Sequence, residues 1–216
     1  MEGTLTAAHR RLAGSDPVMA GLIERLGPRS LETRARRRAE GPADAYGALL
    51  RTVVGQQLST KAARTIYGRV LEIFGGSDPS PEQLLDADTE SLRAAGLSGR
   101  KVEYLRDLAR HVLDGELELD RLDQLDDEKV IEEIVAIRGL GRWSAEMFLI
   151  FHLGRADVFS GGDLGLRRAI QLAYGMEAPP SPDEAVAIAE RWRPERSLAS
   201  IYLWESLAEP ADPFAD

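Results

Sequence analysis

Residues 134–145 of this 216-residue chain read IVAIRGLGRWSA, and this stretch predicts two helices joined by a very tight turn. Ile134 and Ile137 are three residues apart, so they lie on one face of the first helix. The glycines on either side of Leu140 permit a left-handed turn, and Leu140 itself can fill the space between the two helices. A Gly-x-Gly turn alone is common between helices. The apolar spacing around it therefore carries the prediction.

The same turn indicates where an anion can be held. At the start of the second helix, successive backbone N–H groups point outward and can hold a phosphate oxygen without a basic protein surface. The chain has a formal net charge of −9, whereas phosphate binding usually relies on a basic surface. Ten acidic residues fall between Asp114 and Glu133, so basic groups elsewhere can either form one positive face or lie on solvated helix faces. These groups are Arg34 with Arg36, Arg37 and Arg38; Arg100 with Lys101; Arg138 with Arg142; and Arg167 with Arg168.

The rest of the chain predicts an all-α fold. Ser80 and Ser181 each precede a proline and stand three residues before a glutamine or glutamate, which is the pattern of a capping box at a helix start. Asp16 precedes a proline in the same way, and Ser59 is expected to cap a helix after a polar corner at residues 55–58. No stretch predicts a convincing strand.

The composition excludes several classes of site. The chain has no cysteine, which removes disulfides, thiolate nucleophiles, cysteine-based zinc sites and iron–sulfur clusters. His9, His111 and His152 are widely spaced and give little support to a metal site. No apolar run suggests a membrane span, and the first residues do not resemble a signal peptide. We therefore expect a cytoplasmic protein.

Beyond the hairpin, residues 160–168 read SGGDLGLRR, which places Asp163 22 residues after Gly141. Taken alone, Asp163 is a helix N-cap, which stabilises a helix by about 1 kcal/mol. A carboxylate in that position is also kept ionised and oriented, which suits it to stabilise a cationic sugar as a glycosidic bond breaks. Capping and catalysis are compatible at this residue.

Together, the hairpin and Asp163 resemble the helix-hairpin-helix superfamily of DNA glycosylases, in which an essential aspartate follows a loop rich in glycine and proline. The resemblance implies one glycosylase unit over residues 1–216. It is expected to contain two helical subdomains with the active site in the cleft between them: a middle bundle of residues 46–154, and a second subdomain of residues 1–45 plus 155–216.

The resemblance also implies roles for residues around the hairpin. Asp163 is the expected catalytic residue, acting on an oxocarbenium-like transition state. No organic cofactor is expected, although the carbonyls of Gly139 and Gly141 can hold Na⁺ or K⁺ in this family. The expected partner is double-stranded DNA, bound by a monomer in the bacterial nucleoid. The residues expected to contact the DNA backbone are Arg138, Gly139, Leu140, Gly141, Arg142, Arg100 and Lys101.

Two absences point to one branch of this superfamily. Members that also cut the DNA strand carry a lysine two residues after the second hairpin glycine, where this chain has Trp143. Hydrolysis without strand cleavage is therefore expected. The missing cysteines rule out the iron–sulfur branch. What remains resembles the bacterial 3-methyladenine DNA glycosylase II branch, which removes alkylated bases such as 3-methyladenine and 7-methylguanine.

That branch pairs a tryptophan in the hairpin helix with an aromatic residue in the last helix, matched here by Trp143 and Trp204. An electron-rich ring stacks on a cationic N-alkylated base with a gain of roughly 0.5–2 kcal/mol. Both residues can also be read simply as core tryptophans. Met147 stands where related bacterial enzymes have a tyrosine in the pocket, so a looser base pocket is expected.

Base removal requires flipping the base from the duplex and filling the hole that it leaves. In this family the filling residue comes from the corner matching residues 55–59, so Gln57 or Leu58 is expected to act as the wedge. The alternative is that these residues form a polar turn that covers the core.

Two other functions stay open for the protein. One is a non-catalytic helix-hairpin-helix DNA-binding module, in which Asp163 is only a cap. The other is an oxidised-base glycosylase, which would need an amine near the sugar.

Overall fold

The computed structural model describes residues 5–30, 44–58 and 60–208, and this part of the chain is helical without any strand. The α-helices are α1 (Ala7–Ser15), α2 (Pro17–Leu26), α3 (Ala45–Gly55), α4 (Thr60–Ile73), α5 (Pro81–Asp86), α6 (Thr89–Ala94), α7 (Gly99–Leu113), α8 (Asp127–Val135), α9 (Arg142–Phe151), α10 (Leu164–Ala173), α11 (Pro182–Ala189) and α12 (Arg196–Ala208). Short 3₁₀ helices lie at Leu119–Gln124 and Glu190–Trp192. The all-α prediction is confirmed. Among the described residues, no helix is both long and apolar enough to cross a lipid bilayer.

The helices begin where the sequence places caps. Ser80 and Ser181 form the predicted capping boxes at the starts of α5 and α11. Asp16 caps α2 and accepts a hydrogen bond from the backbone N–H of Val18. The predicted cap at Ser59 lies outside the described residues, as do the basic residues Arg34, Arg36, Arg37 and Arg38.

The described residues fall into two compact units, one within Gly41–Phe148 and the other within Met1–Glu40 and Leu149–Asp216. One division falls within α9, between Phe148 and Leu149, whereas the sequence predicts it after residue 154. The hairpin helix thus belongs to the first unit over most of its length.

The unit within Gly41–Phe148 is arranged around α7. This helix packs against α3, α5 and α6. Leu105, Leu108 and Ala109 are buried on one of its faces, as the helical repeat requires. The first turns of α7 carry Lys101, which contacts the end of α3, and Tyr104, which contacts Gly139.

The second unit has a core of aromatic and aliphatic side chains from α1, α2, α10, α11 and α12. Trp192 and Tyr202 are its largest fully buried side chains. Helix α12 packs against both α10 and α2. The core therefore holds together the start of α10, which carries Asp163, and the middle of α12, which carries Trp204.

A buried carboxylate lies in this unit. The Asp16 side chain, 1% exposed, accepts hydrogen bonds from the Tyr174 hydroxyl and from Trp192 Nε1. It also accepts one from the backbone N–H of Val18. Burial raises the pKa of Asp16, but these hydrogen bonds and the charge of Arg191 outweigh it and leave the pKa below the ordinary value of 3.8. Ionised Asp16 therefore joins α2 to the residues around α10 and α11.

We predict that Asp16→Asn lowers the free energy of unfolding by about 1–3 kcal/mol at pH 7, because hydrogen bonds to a buried charge are lost. Since the folded-state pKa is depressed, this stabilisation is present above pH 3.8 and is lost as the pH falls through the folded-state pKa. The difference between wild type and variant in urea titrations should accordingly shrink below about pH 4. Asp88→Asn, at an exposed N-cap, is the control. An equal deficit at pH 7 and pH 3 would contradict the assignment.

Candidate active site

The predicted hairpin is present. Helices α8 and α9 are joined by residues 136–141, and Ile134, Ile137 and Leu140 are buried. Gly139 has a φ of 84°, and the Leu140 N–H donates to the carbonyl of Ile137 at 3.1 Å. The turn is therefore left-handed, and Leu140 plugs it.

The two hairpin glycines have different roles. A Cβ on Gly139 would lie 2.2 Å from Cδ2 of Tyr104, whereas a Cβ on Gly141 would meet nothing within 4 Å. Only Gly139 has positive φ. Of the two glycines expected to permit the turn, Gly139 is therefore the one in the left-handed conformation. The lack of a side chain at Gly141 leaves open space at the start of α9.

Neighbouring polar side chains form hydrogen bonds with the hairpin backbone. The Arg138 N–H donates to Oδ2 of Asp107 at 2.8 Å, and the Gly139 carbonyl accepts from Nε2 of Gln56 at 2.7 Å. The carbonyl that the family resemblance assigns to a Na⁺ or K⁺ ion is thus already paired with an amide. A carbonyl has a second lone pair, so the ion at Gly139 and Gly141 stays a prediction.

The Arg142 side chain is paired within the protein. Its two terminal nitrogens donate to Glu128 at 3.0 and 2.7 Å, and its Nε donates to Glu146 at 3.1 Å. The hydrogen bonds from Arg142 hold the pKa of Glu128 below its usual value. A phosphate that binds Arg142 must therefore compete with two carboxylates.

Asp163 caps α10. Its Oδ1 accepts from the backbone N–H of Leu166 at 2.8 Å and from Nε1 of Trp204 at 3.2 Å. The side chain is half-buried. A Cβ on Gly165 would lie 3.0 Å from that Oδ1 and 3.5 Å from the Trp204 indole, so a glycine at 165 lets the carboxylate and the indole approach each other.

The loop before Asp163 packs closely against the start of α11. A Cβ on Gly161 would lie 2.6 Å from Cγ2 of Val186 and 2.9 Å from the Pro182 carbonyl. The Asp163 N–H in turn donates to the Ser160 carbonyl at 3.1 Å. A side chain at position 161 would displace this loop and with it the carboxylate.

The aromatic residues predicted for a base pocket have different exposures. Trp204 is partly buried and packs against Phe151, with 5.7 Å between ring centroids and 33° between planes. Trp143 is 38% exposed, whereas Met147 is only 4% exposed. The pocket of Trp143, Trp204 and Met147 stays a prediction, and Trp204 gains a second role as a hydrogen-bond donor to Asp163.

The predicted wedge corner is exposed. Helix α3 ends at Gly55, Gln57 has a φ of 58°, and Gln57 and Leu58 are both exposed. Arg100 is exposed as well. Lys101 differs, because its Nζ donates to the carbonyls of Val54 at 2.6 Å and Gln56 at 2.9 Å. The ammonium group that was expected to contact a DNA phosphate therefore forms hydrogen bonds within the protein.

A family model described as the HhH-GPD superfamily of base excision DNA repair proteins matches residues 50–195. The chain belongs to this superfamily. The match contains the corner, the hairpin and Asp163, so the features found in the structure are those of a helix-hairpin-helix repair protein.

Relatives and solved structures agree with this assignment. DNA-3-methyladenine glycosylase 1 of Schizosaccharomyces pombe is 34% identical over 94% of this chain and 88% of its own length. A Bacillus subtilis protein is 33% identical over 75% of this chain, and the aligned region is 58% of that protein. A solved structure of S. pombe 3-methyladenine DNA glycosylase in complex with abasic DNA has a TM-score of 0.83 and 32% identity, covering 94% of this chain and 98% of that one.

Several contacts of this superfamily member were not expected from the sequence. Gln56 stands beside the candidate wedge, but its partner Gly139 is 83 residues away. Tyr104 and Asp107 give no signal apart from the helical spacing that places them with Lys101 on one face of α7. Phe151 reads simply as an apolar residue at the end of α9.

We predict that Gly139→Ala lowers the free energy of unfolding by about 2–4 kcal/mol, because alanine is strained at positive φ and its methyl group overlaps Tyr104. Gly141→Ala is the matched control, since neither its φ nor its surroundings oppose a methyl group. Thermal or urea unfolding of the two variants checks this. Equal losses at both positions would contradict the distinction drawn between the two glycines.

Proposed function

We propose that this protein is a monofunctional DNA glycosylase, which flips alkylated bases such as 3-methyladenine and 7-methylguanine out of double-stranded DNA and removes them by hydrolysis in base excision repair. The observation that carries the proposal is the carboxylate of Asp163, held by two N–H donors beside an aromatic side chain. It follows a helix-hairpin-helix at the spacing expected of this superfamily. The names of the S. pombe relatives support the same substrate class.

We propose that Asp163 stabilises positive charge on the sugar. When the bond between C1′ and the base nitrogen breaks, its electron pair leaves with the base and C1′ becomes cationic. A fixed carboxylate stabilises this charge without reorganising. Water then adds to C1′ and loses a proton, so the products are the free base and an abasic site. Oδ1 of Asp163 accepts hydrogen bonds from the Leu166 N–H and from Trp204 Nε1, and these help to fix the orientation of the carboxylate.

The chemistry suits a cationic base. N-alkylated purines carry positive charge, so they leave readily and stack on electron-rich rings. Trp143 and Trp204 are the rings proposed to hold the base, and Met147 is proposed as a further residue of the base pocket. Trp143 occupies the position at which strand-cutting members carry a lysine, which supports hydrolysis without lyase activity.

We propose that the hairpin holds the DNA backbone chiefly through N–H groups at the start of α9, with Arg138 and Arg142 beside them. The open space at Gly141 allows a phosphate to approach these groups. Arg100 is proposed as a second phosphate contact. The monomeric state, the nucleoid location and the Na⁺ or K⁺ ion at the hairpin belong to the same proposal.

We predict that Asp163→Asn lowers the rate of base release by 100-fold or more, in line with the loss of one preorganised electrostatic group. Asparagine also caps helices, so the fold should persist. The assay measures free methylated bases released from alkylated duplex DNA. Asp183→Asn, in the first turn of α11, is the matched control. Release by Asp163→Asn at close to the wild-type rate would instead favour a DNA-binding module in which Asp163 is only a cap.

We further predict that Glu128→Gln tightens binding to undamaged duplex DNA and increases the magnitude of its log K versus log salt slope by up to about 1, because Arg142 becomes available to a phosphate. Glu132→Gln is the control: it changes the net charge equally but releases Lys129, its ion-pair partner at 2.6 Å. Fluorescence anisotropy at several salt concentrations measures both. Equal effects of the two substitutions would show that only the net charge matters.

A further inference from the structure

One face of α7 connects the candidate wedge corner to the hairpin. Lys101, Tyr104 and Asp107 are spaced three residues apart, so they lie on one side of the helix. Lys101 donates to two carbonyls of the corner. Asp107 accepts from the Arg138 N–H, and the Tyr104 ring lies against Gly139. A single helix therefore contacts both elements proposed to touch DNA.

The contacts of Lys101 are those of a helix C-cap. The carbonyl of Val54 is among the last four of α3, which have no partner within the helix, and a cation at this end also interacts favourably with the helix dipole. The second acceptor, the carbonyl of Gln56, lies one residue beyond the helix. Lys101 thus binds the chain on both sides of the point where α3 ends.

The second contact bears directly on Gln57. The Gln56 carbonyl belongs to the peptide group that precedes Gln57, so fixing this carbonyl fixes one side of the φ rotation of Gln57. That φ is 58°, an uncommon value for a residue other than glycine, and such a conformation persists only where the surroundings impose it. Lys101 provides one such constraint.

Gln56 provides a second constraint, from its side chain. Its Nε2 donates to the Gly139 carbonyl at 2.7 Å. The corner is thereby attached to the left-handed hairpin turn, while Lys101 holds its backbone from α7. All of these contacts lie within the unit Gly41–Phe148.

A lysine at position 101 suits the binding of two backbone carbonyls. The chain has three lysines, Lys61, Lys101 and Lys129, against 24 arginines. A compact ammonium donates in three directions and fits between two backbone carbonyls, whereas a planar guanidinium suits carboxylates and phosphates. Burial also lowers the pKa of Lys101, which agrees with an ammonium withdrawn from solvent.

We propose that Lys101 is a positioning residue for base flipping: it fixes the corner so that Gln57 and Leu58 are presented for insertion into the duplex. Gln56 completes this arrangement at the hairpin. The inference rests on the proposed glycosylase function. It replaces the direct phosphate contact that the sequence suggested for Lys101.

Lys101→Met, which keeps most of the aliphatic stem and removes the ammonium, separates the two roles. A positioning role predicts a tenfold or greater fall in the single-turnover rate of base release. It also predicts a smaller fluorescence rise from 2-aminopurine placed beside 7-methylguanine in a duplex saturated with protein. The log K versus log salt slope for duplex binding should stay at the wild-type value. A phosphate contact predicts the reverse: a slope smaller in magnitude by about 0.9 and an unchanged fluorescence rise at saturation.

Controls keep the test decisive. Lys129→Met makes the same substitution at an exposed lysine paired with Glu132, and its flipping signal should match that of wild type. Gln56→Met loosens the same corner from the hairpin side and should reproduce the rate loss of Lys101→Met, which keeps the test valid if Lys101→Met folds poorly. If wild type releases methylated bases and both corner variants match it, the positioning role is wrong. If wild type releases none, the proposed function itself is wrong.

Discussion

The left-handed turn at Gly139, packed against the Tyr104 ring, is the constraint on which the site within residues 41–148 depends. It brings α8 and α9 together over Leu140. It also aims a carbonyl at Gln56 and an amide at Asp107. A side chain at position 139 would disturb the contacts of the turn with Tyr104, Gln56 and Asp107 together, because each is made by Gly139 or by the residue before it.

The sequence was sufficient for features set by local physics. Capping boxes, the hairpin and the N-cap role of Asp163 depend on residues a few positions apart, and the structure shows each of them. It was insufficient where a side chain had more than one possible partner. Lys101 reads as a basic surface residue in a loop, and nothing near it in sequence indicates that its ammonium binds carbonyls 47 and 45 residues away.

The contact between Trp204 and the proposed catalytic residue Asp163 likewise could not be predicted from the sequence. The sequence could suggest an aromatic residue for the base pocket, but it could not show that the indole N–H is donated to Asp163. That bond needs a small residue at Gly165 and a buried core that holds α10 against α12. The packing of that unit is therefore part of what orients the carboxylate, alongside the helix N-terminus that Asp163 caps.

The net charge of −9 raises the question of how a member of a DNA-repair superfamily can bind phosphate. Arg142 stands at the start of α9 but is already paired with Glu128 and Glu146, so exchanging carboxylate for phosphate yields little net electrostatic gain. The proposed contact instead uses backbone N–H groups at the start of α9, which bind an anion only at the correct distance and angle. A contact of this kind would depend on geometry more than on charge, and it would attract undamaged DNA less than a basic surface does.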